Sequence, residues 1–315
     1  MTQFDRRDFV KATGVAGIAA LAGCSGGGSS ETRLSWHAGG TGGTYYPLSN
    51  EIKKIVEDNT EYKLQVQSTG ASVENVGSLM DGSANFALIQ NDVAYFAKNG
   101  TGIEAFKGEP VENLRGVATL YPETIHLVTL AETGITSLQD LKGKRVNTGD
   151  LGSGTQVDAL KILNAVGITT DDFEEQNTSF SRASEQLKNG DVDATFTVGG
   201  WPVGAIADLA TTEDIRIVPI DGEQRQKIKD AASFFADDEI PAGTYDGVNE
   251  AVPTVAVQAM IATRAEEDAS VVENVTKAIF ENTDQLTIKT DFISKASAQD
   301  GMSIELHEGA SAYFG

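Results

Sequence analysis

The sequence RLSWHAGGTGGTYYPLSNEIKKIV, residues 33–56, contains the first strand–loop–helix unit of the chain. Its first part, Arg33–Ala38, alternates in the manner of a short strand. Gly39–Thr44 then forms a glycine-rich loop, and Tyr45–Asp58 carries apolar residues at helical spacing. Glycines at such a junction let backbone N–H groups approach a ligand, and the helix N-terminus that follows favours an anion. The stretch is neither a dinucleotide-binding fingerprint nor a phosphate-binding P-loop, because the third glycine of the former and the Gly-Lys-Ser/Thr of the latter are missing.

The alternation of strand and helix continues after this stretch. The sequence predicts strands at Lys63–Gln67 and Asn85–Ile89, and helices at Ser72–Met80 and Asp92–Lys98. Such a series implies parallel strands joined by crossover helices, which is the α/β class.

A second series of the same kind follows. Its predicted strands are Val117–Tyr121, Ile125–Leu130, the stretch ending at Asn147, Ala194–Val198, Ile215–Pro219 and Thr254–Ile261, and its predicted helices start near Gly154, Ala183, Val203 and Val271. Pro122 is expected to end the first of these strands and so to separate it from the second. Two similar α/β units predict two lobes with a ligand cleft between them.

Composition excludes several classes of function. The chain has 315 residues, with 24 Lys and Arg against 46 Asp and Glu, for a formal net charge of −22. Nucleic acids and anionic membrane surfaces favour basic proteins, so both are excluded as partners. A single Cys excludes a disulfide within the chain and a cysteine-based zinc site.

The N-terminal residues resemble an export signal. Residues 1–23 combine an Arg-Arg pair with a short apolar stretch, which is similar to a twin-arginine signal peptide joined to a lipoprotein cleavage box at Cys24. Residues 24–32 then read as a Gly/Ser tether, with a lipid expected on Cys24. Without the signal the chain holds 21 basic and 44 acidic residues, a net charge of −23, which is typical of an exported protein of a salt-loving prokaryote.

Four strand-to-helix junctions carry small polar residues. They are Gly39–Thr44, Ser68–Ser72, Gln90–Asp92 and Gly152–Thr155. In a parallel sheet such junctions share the edge at which ligands bind. Each polar residue could equally cap its helix. Together, four helix N-termini with hydroxyls and amides are expected to bind a small carboxylate without a catalytic group.

Catalytic patterns are missing from the sequence. Neither Ser153 nor Ser72 has the flanking glycines of a nucleophile elbow. His37 and His126 lie in predicted strands and are expected to be structural, and His307 has no partner pattern. No ligand spacing argues for a metal, so we expect neither an enzyme nor a cofactor.

An ordered set of motifs resembles one family. The motifs are Thr41–Pro47, Ser68–Asn75, Ala87–Asp92, Leu120–Glu123, Asp140–Val146, Gly152–Thr155 and Ile240–Tyr245. They are similar to TAXI-type solute receptors of TRAP (tripartite ATP-independent periplasmic) transporters, over roughly residues 33–265. The resemblance implies a type II periplasmic-binding-protein fold, with lobe 1 at 33–122 and 256–315 and lobe 2 at 123–255. The implied hinge lies near Tyr121–Glu123 and Val252–Val257.

The resemblance also implies a function: an extracytoplasmic receptor that delivers a glutamate-like or dicarboxylate solute to an ion-coupled TRAP permease. The expected ligand residues are Thr41, Gly42, Gly43, Thr44, Tyr45, Thr69, Ser72, Gln90, Asn91 and Tyr121 from one side, with Ser153, Thr155 and Phe180 from the other. None of these loops holds an Arg; Arg145 and Arg182 are the nearest candidates for a carboxylate clamp, and we expect both of them to be surface residues instead. The alternatives are the receptor of an ABC importer and, third, a secreted enzyme on the same scaffold.

Overall fold

The computed structural model describes residues 32–315. The expected signal at 1–23, the lipidation site Cys24 and residues 25–31 of the tether lie outside the described residues. Thr32, the last residue of the expected tether, already belongs to the first strand.

The described residues form a chain of alternating strands and helices. The strands are β1 (Thr32–His37), β2 (Tyr62–Gln67), β3 (Phe86–Gln90), β4 (Leu114–Leu130), β5 (Arg145–Asn147), β6 (Glu174–Gln176), β7 (Ala194–Gly199), β8 (Ile215–Ile217), β9 (Ala236–Ile240) and β10 (Val252–Arg264). The helices are α1 (Tyr45–Asn59), α2 (Ser72–Asp81), α3 (Asn91–Asn99), α4 (Gly154–Ala165), α5 (Phe180–Asn189), α6 (Gly204–Ala210), α7 (Gly222–Ala231), α8 (Ala269–Phe280) and α9 (Glu308–Phe314).

The main path of the sheet runs in the order β2-β1-β3-β10-β4-β7-β5-β6. Strands β2, β1 and β3 are parallel to one another, as are β6, β5 and β7. We call β1–β3 with α1–α3 the first block, and β5–β7 with α4–α6 the second block. The parallel strands predicted from the alternating pattern are confirmed within each block, with crossover helices between them.

Two long strands join the blocks. β4 and β10 are antiparallel to each other, and β10 also pairs with β3 while β4 pairs with β7. The expected break at Pro122 is wrong, because β4 continues through it. Pro122 lies opposite Gln258, next to a register shift between Gln258 and Met260, and such an irregularity tolerates a residue that has no N–H to donate.

Each block has its own apolar core. In the first, Trp36 is fully buried and stacks on Phe86 with ring centroids 5.6 Å apart, and its indole N–H donates to the Ser49 hydroxyl. In the second, Phe196 is fully buried among residues of α4 and the beginning of β10. Between residues 32 and 315, no helix is both long and apolar enough to cross a membrane.

Candidate functional site

A cavity of about 130 Å³ lies where the strand-to-helix junctions of both blocks meet. The first block contributes the loops before α1 and α2 and the end of β3; the second contributes the loops before α4 and α5. β4 supplies Glu123 and β7 supplies Val198. Four helix N-termini therefore surround one space that is large enough for a small solute.

Most of the residues expected from the sequence line this cavity. They are Thr41, Gly42, Gly43, Thr44, Tyr45, Thr69, Ser72, Gln90, Ser153, Thr155 and Phe180. Two others lie behind the wall. The Asn91 amide donates to the carbonyl of Gly301 and accepts from the Gln258 N–H, each over 3.0 Å, and Tyr121 is completely buried.

The glycine loop of the first block touches the second block directly. The carbonyl of Gly42 accepts from the Ala205 N–H over 3.1 Å, and the Thr44 hydroxyl donates to the carbonyl of Gly200 over 3.0 Å. A Cβ atom on Gly42 would lie 2.4 Å from the Ser181 hydroxyl oxygen. Glycine at position 42 therefore lets the two blocks approach each other closely.

The hydroxyl groups that line the cavity differ in the hydrogen bonds that they already make within the protein. Thr69 donates to Asn75 and accepts from the Ala71 N–H, and Ser153 donates to the carbonyl of Asp150 and accepts from the Gln156 N–H. Ser72 accepts from the N–H of Gln90 over 3.1 Å and lies beside the Tyr45 phenol. The Ser72 hydroxyl can therefore donate either to Tyr45 or to a ligand, while Thr69 and Ser153 mainly fix the loops.

Glu123 is the most buried acidic residue of the cavity, and the sequence reasoning did not include it among the ligand residues. It lies where β4 passes from β10 to β7, it is 2 % exposed, and its two carboxyl oxygens accept from the hydroxyls of Tyr45 (2.9 Å) and Tyr121 (3.2 Å). Burial raises the pKa of Glu123 to about 8, against the lowering effect of these hydrogen bonds. A single acidic residue inside the apolar run of β4 was the available signal.

The cavity has no basic side chain among its described lining residues. Its acidic members are Glu123 and Asp150, and partial burial raises the pKa of Asp150 above its usual range. Arg145 pairs with Asp193 at 2.7 Å, and Arg182 pairs with Glu185 at 2.8 Å, so both guanidinium groups serve surface contacts outside the cavity.

The histidines take structural positions. His126 is fully buried, and its ring nitrogens lie 3.0 Å from the carbonyl of Thr124 and 3.0 Å from the Tyr245 hydroxyl. Burial lowers the pKa of His126 to about 4, so it is neutral, and the expected satisfied core histidine is confirmed. His307 caps α9 by accepting from the Gly309 N–H. Within residues 32–315, no group of three or more His, Cys, Asp or Glu could hold a metal ion.

The buried Glu123 predicts how stability depends on pH. Its pKa is about 8 in the folded chain and near 4.3 when unfolded. Its contribution is therefore fully present below about pH 4 and is lost as pH rises through 8, by up to about 1.4 kcal/mol per pH unit. Urea unfolding at constant high salt between pH 5 and 9 should show this decline, and Glu123→Gln should flatten it. An equal slope in the variant would contradict the assignment.

Comparisons with known proteins agree with this architecture. The model of the NMT1-like family matches residues 37–315. Among solved structures, the chain is similar to a protein of Bordetella bronchiseptica RB50, at 15% identity and a TM-score of 0.54, over 90% of this chain and 82% of that one. It is also similar to a mutant of ArgBP from T. maritima, at 15% identity and a TM-score of 0.51, over 83% and 93% of the two chains. These similarities confirm the α/β periplasmic-binding-protein fold.

Proposed function

Since the chain belongs to the NMT1-like family and has the periplasmic-binding-protein fold, we propose that it is an extracytoplasmic solute receptor for a small carboxylate, either glutamate-like or a dicarboxylate. The observation that carries the proposal is the cavity in which four helix N-termini of two blocks converge. Such N-termini present unpaired backbone N–H groups and a partial positive charge, which together bind an anion without Arg or Lys.

The carboxylate is held by neutral donors. The hydroxyls of Ser72 and Thr155 and the backbone of Gly42–Tyr45 supply them, and Phe180 covers the loop from the second block, with its ring 3.3 Å from where a Cβ of Gly43 would lie. Glu123 stays largely uncharged at pH 7 because its pKa is about 8. A protonated carboxyl group donates a hydrogen bond, so an acidic side chain does not oppose an anionic solute here.

The two lobes close on the solute. We assign residues 33–122 and 256–315 to lobe 1 and residues 123–255 to lobe 2, with the hinge near Tyr121–Glu123 in β4 and Val252–Val257 in β10. The contact of Gly42 with Ala205 supports a closed arrangement, as does Lys289, whose ammonium group lies 4.5 Å from the ring centroid of Trp201 and donates to the carbonyl of that residue. Closure buries the solute and presents a single docking face to a permease.

The partner is an ion-coupled TRAP-type permease. Support comes from the ordered TAXI-type motifs, from Thr41–Pro47 to Ile240–Tyr245. The alternative is an ABC importer, because the fold alone does not separate the two systems. A neighbouring gene for a large permease with many membrane spans favours the first, and a neighbouring ATPase gene favours the second.

Export and anchoring complete the proposal. The twin-arginine and lipoprotein features of residues 1–24 support a receptor held to the outer face of the cell membrane through lipidated Cys24. The net charge of −22 supports a salt-adapted exterior, whose carboxylates remain hydrated while their mutual repulsion is screened.

A solute panel tests the proposal. Glutamate, glutamine and C4–C5 dicarboxylates are titrated against the protein at high salt, and the thermal unfolding midpoint is followed. At least one carboxylate should raise the midpoint and be recovered chemically unchanged, because a bound solute stabilises the folded state. A panel without any shift would sink the carboxylate assignment, and turnover of a bound solute would revive the enzyme alternative.

A further inference from the structure

Two aspartates meet behind the cavity, one from each block. Asp92 lies in the first turn of α3, Asp158 lies in the middle of α4, and both are completely buried. The helices pack together around them: the Lys161 ammonium group of α4 lies 4.3 Å from the ring centroid of Phe96 on α3, and Val157 packs on the core cluster of the first block. Asp92 and Asp158 therefore face each other across the contact between the blocks.

Neither aspartate is paired with a basic side chain among the described residues. None of the four carboxyl oxygens makes a well-formed hydrogen bond, nor does the neighbouring Gln90 side-chain oxygen, although the backbone N–H groups of Asp92 and Val93 lie near the Asp92 carboxyl group and act to lower its pKa. The titratable groups that face the pair are Lys161 from α4 and Glu123 from β4. The Lys161 ammonium group lies over the Phe96 ring, and a negative charge on Glu123 would repel a negative charge on Asp158.

Holding two ionised carboxylates side by side in this buried site would cost a large amount of free energy. A buried charge without a partner is strongly disfavoured, and two like charges in contact repel each other in addition. A single proton between them removes one charge and supplies the missing hydrogen bond. Burial raises the pKa of Asp92 to about 7, and burial together with the charges of Asp92 and Glu123 raises the pKa of Asp158 well above its usual range. The pair therefore holds a proton at neutral pH when the blocks are in contact.

We propose that the Asp92–Asp158 pair couples closure of the two lobes to the uptake of one proton. The inference rests on the proposed function, because closure on a solute is what brings α3 and α4 together. When the lobes open, water reaches both groups, each ionises as an ordinary aspartate does, and the proton returns to solvent. The receptor is then a proton-linked binder: acid favours the closed, loaded state and alkali favours release.

The sign of the linkage follows from the two states. Between about pH 4 and pH 7 the closed form holds one proton more than the open form. Affinity for the solute should consequently fall by up to about tenfold per pH unit through this range as a result of the pair. Glu123 adds a separate dependence that extends towards pH 8.

The experiment counts protons on binding. L-Glutamate is titrated calorimetrically at pH 6 in two buffers of different ionisation enthalpy, with the parent chain, Asp158→Asn, Asp92→Asn and the control Asp171→Asn, whose side chain is exposed. Each of the first two variants should take up about one proton fewer than the parent, and the control should match the parent. Equal proton uptake in parent and Asp158→Asn would overturn the proposal.

A second measurement does not depend on the ligand. Without solute, the radius of gyration of the parent, measured by small-angle X-ray scattering, should fall as pH drops from 8 to 5, because proton uptake shifts the lobes towards the closed form, and that of Asp158→Asn should change much less. If glutamate fails to bind but this contrast is seen, the proton pair stands and the proposed ligand falls. If glutamate binds and neither proton uptake nor the radius of gyration responds to Asp158→Asn, the solute receptor stands and the proton pair falls.

Discussion

Gly42→Leu should weaken solute binding by at least about 100-fold, or about 2.7 kcal/mol. A Cβ atom at this position would meet the Ser181 hydroxyl oxygen at 2.4 Å and the Ala205 Cβ at 3.3 Å. The remaining atoms of leucine must then enter the cavity or push the second block away. Both outcomes remove the space or the closure that binding requires, whereas the core of the first block is untouched, so the free energy of unfolding should change much less than binding.

The same loop provides the control. A Cβ atom on Gly40 meets nothing within 4 Å, although Gly40 also lines the cavity. Gly40→Ala should therefore keep affinity within about threefold, equivalent to under about 0.7 kcal/mol. Calorimetric titration of both variants measures the contrast. Near-parental binding by Gly42→Leu, with its fold intact by circular dichroism, would show that the site does not lie between the blocks.

At about pH 4, where Glu123 is uncharged in the folded chain, Glu123→Ala should cost about 2 to 4 kcal/mol of folding stability. The carboxyl group accepts from both Tyr45 and Tyr121, and all three side chains are buried. Alanine leaves two phenol hydroxyls without an acceptor and opens a small void beside them. The loss of these hydrogen bonds and of packing costs more than is regained by removing the desolvation penalty of the buried carboxyl group.

Glu123→Gln is the matched variant, because glutamine keeps the shape and one acceptor oxygen. Urea unfolding at about pH 4, where the titration of Glu123 contributes little, should place Glu123→Gln within about 1 kcal/mol of the parent, with Glu123→Ala clearly below both. If the two variants were equally stable, the hydrogen bonds from the tyrosines would have no part in holding the junction between the blocks.

The parallel strands and their crossover helices could be predicted because their signals are local. Apolar residues recur at helical spacing in Tyr45–Asp58, and the structure has α1 at Tyr45–Asn59. The glycine loop between strand and helix was likewise visible from residue type alone. The confirmed elements are those in which the spacing of the apolar residues and the positions of the turn residues predict the same boundaries.

The antiparallel course of β4 and β10 could not be predicted from local signals. A buried apolar strand has the same sequence pattern whether its neighbouring strand is parallel or antiparallel. Proline usually interrupts a strand. The sheet accommodates Pro122 because of the register shift in the neighbouring strand β10, and such a tertiary feature has no local sequence signal. The irregular segment after α8 was also underestimated: Leu286 and Ile293 are buried in the first core without any helical or strand period.

The chemical character of the cavity was predictable only in part. The polar junction residues follow from sequence, because strand-to-helix loops gather at one edge of a parallel sheet. Asp92 and Asp158 could not be singled out, since an acidic residue in a sequence with 46 of them is most simply surface, and the only signal for Glu123 was its place inside the apolar run of β4. Only their burial separates these three from the rest.

The most direct test of the central claim, that neutral donors between two blocks bind a small carboxylate, is the affinity for L-glutamate as salt is raised. Calorimetric titration at pH 7 runs from low to high salt, with Gly42→Leu as the non-binding reference. Affinity should improve or hold as salt rises, because screening weakens repulsion by the acidic exterior and the site has no basic clamp to screen. An affinity that falls steadily with added salt, or equal heats from Gly42→Leu, would contradict the account.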